Sequence, residues 1–373
     1  RGNPPRPKRC EAFFGRRRRF RRGSAPIRAR LLARSRSMVS GRFVTVALLA
    51  SLFPGCLGAA ADADAADVRI ASYNVRVASK WARDDGFDKM HRRTWEERRS
   101  KVAKMIEIAS CSVVGSQEGL GWQLDELIQL IGPKTWRRIG VGRVGDGTDD
   151  DETAGILYDS ARLALVDSGD FWLSETPEKS SKSWGASLPR LATWAVFQTN
   201  GRKFAVLNTH FDHQSATARR QSARLLRERA LALEARFGAP VFVTGDFNAD
   251  KTEAWHDELL QDGGLVDAWS SAAARACGAC AASTYHAWRG AYKRVDVELA
   301  LSGLKHIDGI FATRSALAQG EIVLARMITD DKRRQVYGGP FASDHYPVVV
   351  TFRFFQAAET EPAGRAQDER DQL

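Results

Sequence analysis

The sequence predicts an α/β layered sandwich, and three features of its 373 residues point there. Short apolar, β-branched runs bounded by turn residues recur along the chain, as strands require. Amphipathic stretches of helical period separate some of them. Several strands nevertheless follow one another with no helix between, which argues for a mixed sheet or a pair of sheets over a doubly wound parallel one.

Taken in order, VRIASYNV (68–75) reads as a strand, and RRTWEERRSKVAKMIEIAS (92–110) as a helix with Trp95, Val102, Met105, Ile106 and Ala109 toward one side. SVVGSQE (112–118) is a short strand ending in an acid, and WQLDELIQLI (122–131) is helical. ETAGILYD (152–159), LATWAVFQT (191–199) and KFAVLNTHF (203–211) are further strands. The stretch 215–238 is a helix closed by Gly238. VFVTGDFN (241–248), HIDGIFAT (306–313) and DHYPVVVTFRF (344–354) complete the strands.

Six of these strands carry at one end residues that a core would not tolerate. In GDFN, side chains two apart share a face, so Asp246 and Asn248 project together from a sheet edge while Phe247 turns into the core. Asn74, Glu118, the group Asn208, His210, Asp212 and His213, then Asp308, and finally Asp344 with His345 sit at comparable ends. A hard divalent cation such as Mg²⁺ wants carboxylate and amide oxygens, often only one or two protein carboxylates. Hydrolysis near neutral pH wants a histidine whose second ring nitrogen is held by a carboxylate. The chain offers both sets. His210 and His213 are spaced as a zinc pair might be, but an extended segment would turn them to opposite sides, which makes His213 a rim residue.

The ordered set SYN, QE, DETAGILY, NTH, GDFN, HIDGIF and SDHYPV resembles the endonuclease/exonuclease/phosphatase superfamily, whose members include pancreatic-type deoxyribonucleases. The resemblance runs from about Val68 to Phe354 and implies a four-layer sandwich of two mixed β-sheets flanked by helices. It implies Glu118 as principal metal ligand, with Asn74 and Asp344 beside it, and Mg²⁺ as cofactor with Mn²⁺ as a substitute. It implies His345 as the catalytic histidine with Asp308 as its carboxylate partner, and Asp246 and Asn248 as the pair positioning water and phosphate. His210 matches a second active-site histidine with Glu152 as its acid partner; which histidine is acid and which is base stays open. Asn208 and Arg190 are substrate-binding candidates, Arg190 within a stretch (169–194) resembling a poorly characterised, often exported bacterial branch. Within that stretch Phe171, Trp172 and Trp184 are expected to be packing residues. The strand before Glu118 commonly reads DIVGLQE in the family; Ser112 and Ser116 depart from this at packing positions.

The formal charge of +11 does not lie in this domain. Residues 1–37 hold thirteen Arg, one Lys and one acid, Glu11, a net of +13, so +11 less +13 leaves −2 from Met38 onward. A groove lined with Lys and Arg for a nucleic-acid backbone is therefore not evident in the body. Residues 1–37 are expected to be a disordered or non-native extension. Residues 38–66 read as a secretory signal starting near Met38 plus a linker, which predicts a secreted or periplasmic protein. Residues 67–355 form the domain, and 356–373 a polar, disordered tail. CGAC (277–280) lacks the second cysteine pair of a zinc site and fits a local disulfide, while Cys111 is expected to be a small buried residue.

The function these features imply is hydrolysis of phosphate esters by metal- and histidine-assisted attack of water. Phosphodiesters come first, in a nuclease-like enzyme or one acting on a phospholipid headgroup or small metabolite. No stable protein partner is indicated, and a monomer is expected. The competing readings are a catalytically silent binding module of the same fold, and nucleic-acid binding through the Arg-rich leader. The first is disfavoured because every expected catalytic position holds a competent residue.

Overall fold

The computed structural model describes residues 67–78, 90–91, 93–277, 283–288, 302–329 and 341–356. The Arg-rich leader, the signal segment with Met38 and Cys56, the CGAC side chains and the tail from 357 lie outside the described residues. Thirteen strands are described: β1 (Asp67–Asn74), β2 (Val113–Gln117), β3 (Trp136–Ile139), β4 (Ile156–Asp159), β5 (Ala164–Trp172), β6 (Leu191–Thr199), β7 (Arg202–His210), β8 (Val241–Asp246), β9 (Leu265–Asp267), β10 (Ala274–Cys277), β11 (Asp308–Thr313), β12 (Gly320–Met327) and β13 (Val348–Phe354). They form a seven-stranded sheet, ordered β10-β12-β13-β1-β2-β4-β3, and a six-stranded sheet, ordered β5-β6-β7-β8-β11-β9. Both sheets are mixed, because β1 runs parallel to β2 and β7 parallel to β8 while their other pairings are antiparallel.

The central strands read as unbroken apolar runs because both of their faces are covered. Ile70, Val113, Val206, Phe242, Ile310 and Val350 point between the sheets into one core. Their sequence neighbours point outward. Ala71, Val114 and Val349 meet helices α1 (Trp95–Ala109) and α2 (Gly121–Ile131), whose Val102, Ile106, Leu124 and Leu127 close the second core. Leu207, Val243 and Phe311 meet helices α3 (Ala216–Phe237) and α4 (Ala254–Leu260) through Ala223, Leu226, Trp255 and Leu259. The result is the four-layer helix–sheet–sheet–helix order. Gly238 ends α3 in the left-handed region at φ 62° and donates its N–H to the Glu234 carbonyl at 2.8 Å, as its position in the sequence implies. Cys111 is a free, buried thiol.

Strands β3, β5, β9, β10 and β12 have no counterpart among the sequence expectations. β3 and β5 are sheet edges with half-exposed residues, so their alternation is blurred. β12, GEIVLARM, carries a bulge between Ile322 and Leu324 that breaks the period-two pattern.

The two sheets are tied together by one buried amide. Asn208 on β7 accepts from Gln117 Nε2 at 2.7 Å and Thr244 Oγ1 at 3.0 Å, and donates to the carbonyls of Ser116 at 2.8 Å and Gly155 at 2.9 Å. This approach needs a glycine at 115, since a Cβ there would stand 2.1 Å from Thr244 Oγ1 and 2.6 Å from Asn208 Oδ1.

His306 is a core residue. Its ring packs edge-on against Trp269 at 4.6 Å, and neither ring nitrogen has a hydrogen-bond partner among the described residues. Burial, with Lys251 nearby, pushes its pKa down to about 3, and burial does the same to His286. Both rings are neutral when folded and titrate near 6.5 when unfolded. Their stabilising effect is complete above about pH 6.5 and declines as pH falls toward the folded values, because the unfolded chain takes up the protons. Each histidine steepens the acid loss of stability by about 1.4 kcal/mol per pH unit within that window. His306→Phe is expected to flatten the slope by about that amount between roughly pH 6 and 4, read by urea unfolding at several pH values. An unchanged slope would refute the neutral buried imidazole.

Candidate active site

The strand register gathers the polar ends. Asp246, the last residue of β8, is paired across the sheet with Asp308 on β11 and with His210 on β7. On the other sheet Asn74 ends β1 opposite Gln117, so Glu118 follows at the same edge. Phe247 is fully buried and stacks on Trp255 with centroids 4.4 Å apart, anchoring the GDFN turn from behind. Arg76, Glu118 and Asn248 all take left-handed backbone conformations, at φ 61°, 62° and 56°. Such conformations cost energy in non-glycine residues and cluster where a site demands a particular side-chain direction.

These ends surround a cleft of about 360 Å³ whose lining includes Glu118, Asp246, Asp344, His345, His210 and Arg190. One oxygen each of Glu118 and Asp246 and one ring nitrogen of His345 lie within 4.8 Å of one another. Asn74 Nδ2 bridges the two carboxylates, at 3.0 Å from Glu118 Oε1 and 2.9 Å from Asp246 Oδ2. Its Oδ1 accepts the Arg76 N–H at 2.9 Å. That N–H fixes the amide orientation, so Asn74 presents donors to the carboxylates and no oxygen to a cation. The expected ligand role of Asn74 is replaced by one of holding Glu118 and Asp246 together. Asp344 lines the same cleft, 3.8 Å from Arg76 Nε, but lies outside the convergent trio.

His345 Nδ1 meets Asp308 Oδ2 at 2.9 Å, the expected pairing, and its Nε2 faces Asp246 Oδ2 at 3.8 Å. Burial alone would lower the His345 pKa, but Asp308 and Asp246 together raise it to about 10. Burial and the facing Asp308 raise the Asp246 carboxyl to about 7, against the pull of His345. Glu118 behaves in the opposite way. Burial would raise it, yet Arg76 at 3.2 Å and the Asn74 amide hold it well below the usual carboxylate range.

The second expected histidine–carboxylate pair does not form. Glu152 accepts two hydrogen bonds from Arg143, at 2.6 and 2.9 Å, and none joins it to His210 among the described residues. The competing partner is a guanidinium, whose planar fork matches a carboxylate better than one ring nitrogen does. His210 Nε2 instead accepts from Asn248 Nδ2 at 2.8 Å, and the same amide donates to the Phe211 carbonyl at 2.9 Å. Burial and the positive charge of Arg190 push the His210 pKa well down, so the ring is neutral. Asn208, expected to touch substrate, is fully buried in the inter-sheet clasp and does not line the cleft. Arg190 does line it, as does His213, whose Nδ1 meets Arg190 Nη2 at 3.1 Å.

Sequence reasoning missed Arg76, Arg143 and Tyr285. Arg76 lies two residues beyond Asn74, where the strand period could have found it; Arg143 comes from a loop with no local signal. Trp172 donates to the Arg143 carbonyl at 2.7 Å, so the Trp-rich segment positions this arginine. Thr284 Oγ1 accepts the Asp308 N–H at 3.1 Å, and Tyr285 lies over the His345 ring with centroids 4.8 Å apart. Arg98, only 1 % exposed, donates to the carbonyls of Val75, Arg76, Val77 and Ala342, holding the loops that carry Arg76 and Asp344.

The family model described as "Endonuclease/Exonuclease/phosphatase family" matches residues 71–345. The chain belongs to this family. Among solved structures, an endonuclease/exonuclease/phosphatase family protein from Bacteroides thetaiotaomicron is 31 % identical, with a TM-score of 0.67 over 78 % of this chain and 95 % of that one. A mannosyl-6-phosphatase from Bacteroides thetaiotaomicron VPI-5482 is also 31 % identical, with a TM-score of 0.66 over 77 % of this chain and 100 % of that one. The human nocturnin catalytic domain shares the fold at 14 % identity, with a TM-score of 0.54 over 78 % of this chain and 94 % of that one. No curated protein matches the sequence. As an endonuclease/exonuclease/phosphatase family member, the chain has the phosphoesterase fold of two mixed sheets between helices, with a Glu–Asp–His cluster at the strand ends.

Proposed function

We propose that the protein is a divalent-metal-dependent hydrolase of phosphate esters that works with Mg²⁺ and accepts Mn²⁺. The convergence of Glu118, Asp246 and His345 within 4.8 Å, at the edge shared by both sheets, carries this reading. The donor set fits a hard cation: two carboxylates held side by side by one amide, with a third, Asp344, on the same wall. Glu118, which stays ionised, would hold the ion, with Asp344 beside it. Such an ion supplies charge neutralisation and Lewis acidity to the phosphate.

The chain's own groups divide the remaining work. Asp246, titrating near neutrality, takes the proton of the attacking water while the Asn248 N–H, at 2.9 Å from its Oδ1, fixes its orientation. His345, kept protonated by Asp308, stabilises negative charge gathering on a phosphoryl oxygen. The mannosyl-6-phosphatase similar to this chain supports phosphate-ester chemistry. From the sequence alone, export through the signal near Met38 would place this activity outside the cytoplasm.

The test is metal removal. Dialysis against EDTA is expected to lower turnover of aryl phosphate esters by at least about 10²-fold, with recovery on adding Mg²⁺ or Mn²⁺. Undiminished turnover in the metal-free protein would sink the reading.

A further inference from the structure

Among the described residues, each arginine lining the cleft meets a carboxylate within 4 Å, with one exception. Arg143 is matched by Glu152, Arg76 by Glu118, and His345 by Asp308. Arg190 has no carboxylate within 4 Å among the described residues. It is only 6 % exposed, its Nη2 meets His213 Nδ1 at 3.1 Å, and its Nε–H has no partner. A buried guanidinium with an unmet donor is costly unless an anion completes it.

The space beside it has a particular size. A recess of about 10 Å³ opens between Arg143, Glu152, Arg190 and His210, floored by Thr153 and Ala154. That is room for about one water-sized atom. His210 is held neutral, and Glu152 is already engaged by Arg143, so the free charge facing the recess is that of Arg190.

We infer that this recess receives an unsubstituted phosphoryl oxygen, which makes the site selective for phosphate monoesters over diesters. The inference rests on the phosphoester reading and deepens it. A monoester near neutral pH has three terminal oxygens and close to two negative charges. Two oxygens can face Glu118's side of the cleft and His345, and the third seats on Arg190. A diester has only two terminal oxygens and one charge, so with one on Glu118's side and one at His345 none is left for the unmet donor of Arg190. The alcohol part of the substrate leaves past Leu188 and Tyr285, 36 % and 43 % exposed, the apolar side chains at the cleft mouth.

The test uses the full chain with Mg²⁺ on 4-nitrophenyl phosphate and bis(4-nitrophenyl) phosphate, comparing wild type, Arg190→Gln and Arg190→Lys. Inorganic phosphate binding by calorimetry is measured on the same proteins. Wild type is expected to favour the monoester. Arg190→Gln is expected to lose about 10²-fold in kcat/KM on the monoester and less than about threefold on the diester, with phosphate binding weakened at least about tenfold. Arg190→Lys keeps the charge and is expected to recover part of both the phosphate affinity and the monoester rate. Equal losses on both esters, a wild-type preference for the diester, or unchanged phosphate affinity in Arg190→Gln would overturn the monoester assignment. Failure of wild type to hydrolyse either ester would instead overturn the hydrolase reading, and the phosphate titration would still decide whether Arg190 holds the anion.

Discussion

His345→Asn lowers kcat/KM on the protein's phosphate-ester substrates by about 10³-fold, with little change in stability. Asparagine is chosen because its amide can reach toward Asp308 as Nδ1 does, so the buried carboxylate is not left without a donor. What disappears is the Nε2 end that faces Asp246 and lines the cleft. The loss should appear in kcat, since the interaction strengthens as charge develops on the phosphoryl oxygen. Steady-state kinetics and a thermal melt on the same preparation measure it. A variant within about threefold of wild type would remove His345 from the reaction.

Asn208→Ala is expected to destabilise the fold by about 3–5 kcal/mol while leaving KM of the remaining folded protein unchanged. Four groups lose a hydrogen bond at once: Gln117 Nε2, Thr244 Oγ1 and the carbonyls of Ser116 and Gly155. All are buried between the sheets, where water cannot readily replace the amide. Denaturant unfolding gives the stability and initial rates give KM. A substrate-binding role predicts the reverse pattern, a raised KM with stability nearly intact, and that result would remove Asn208 from the clasp.

His345 and Asn208 stand 137 positions apart in the sequence, one lining the cleft and the other buried between the sheets, and the two readouts separate chemistry from scaffolding. Similar polar letters at strand ends thus serve different ends. In LNTH, Asn208 turns between the sheets and His210, two residues on, reaches the cleft because the strand has come to its end there.

By itself the sequence determined the layered α/β class, most of the strands and the identities of Glu118, Asp246, Asp308 and His345 as a set. Apolar period and turn residues are local and place the strands, and the resemblance of the motifs to the family picked out the four: Glu118 and Asp246 at the ends of β2 and β8, Asp308 at the start of β11 and His345 just before β13. Tertiary structure alone decided the partnerships. Glu152 went to Arg143, not to His210, because a loop brings a guanidinium fork against it, and Asn74 became a bridge because two carboxylates converge on its amide. Arg190 acquired its role from an unmet hydrogen bond beside a space one atom wide. Pairings of this kind depend on distances between segments far apart along the chain, and no local pattern of residues encodes them.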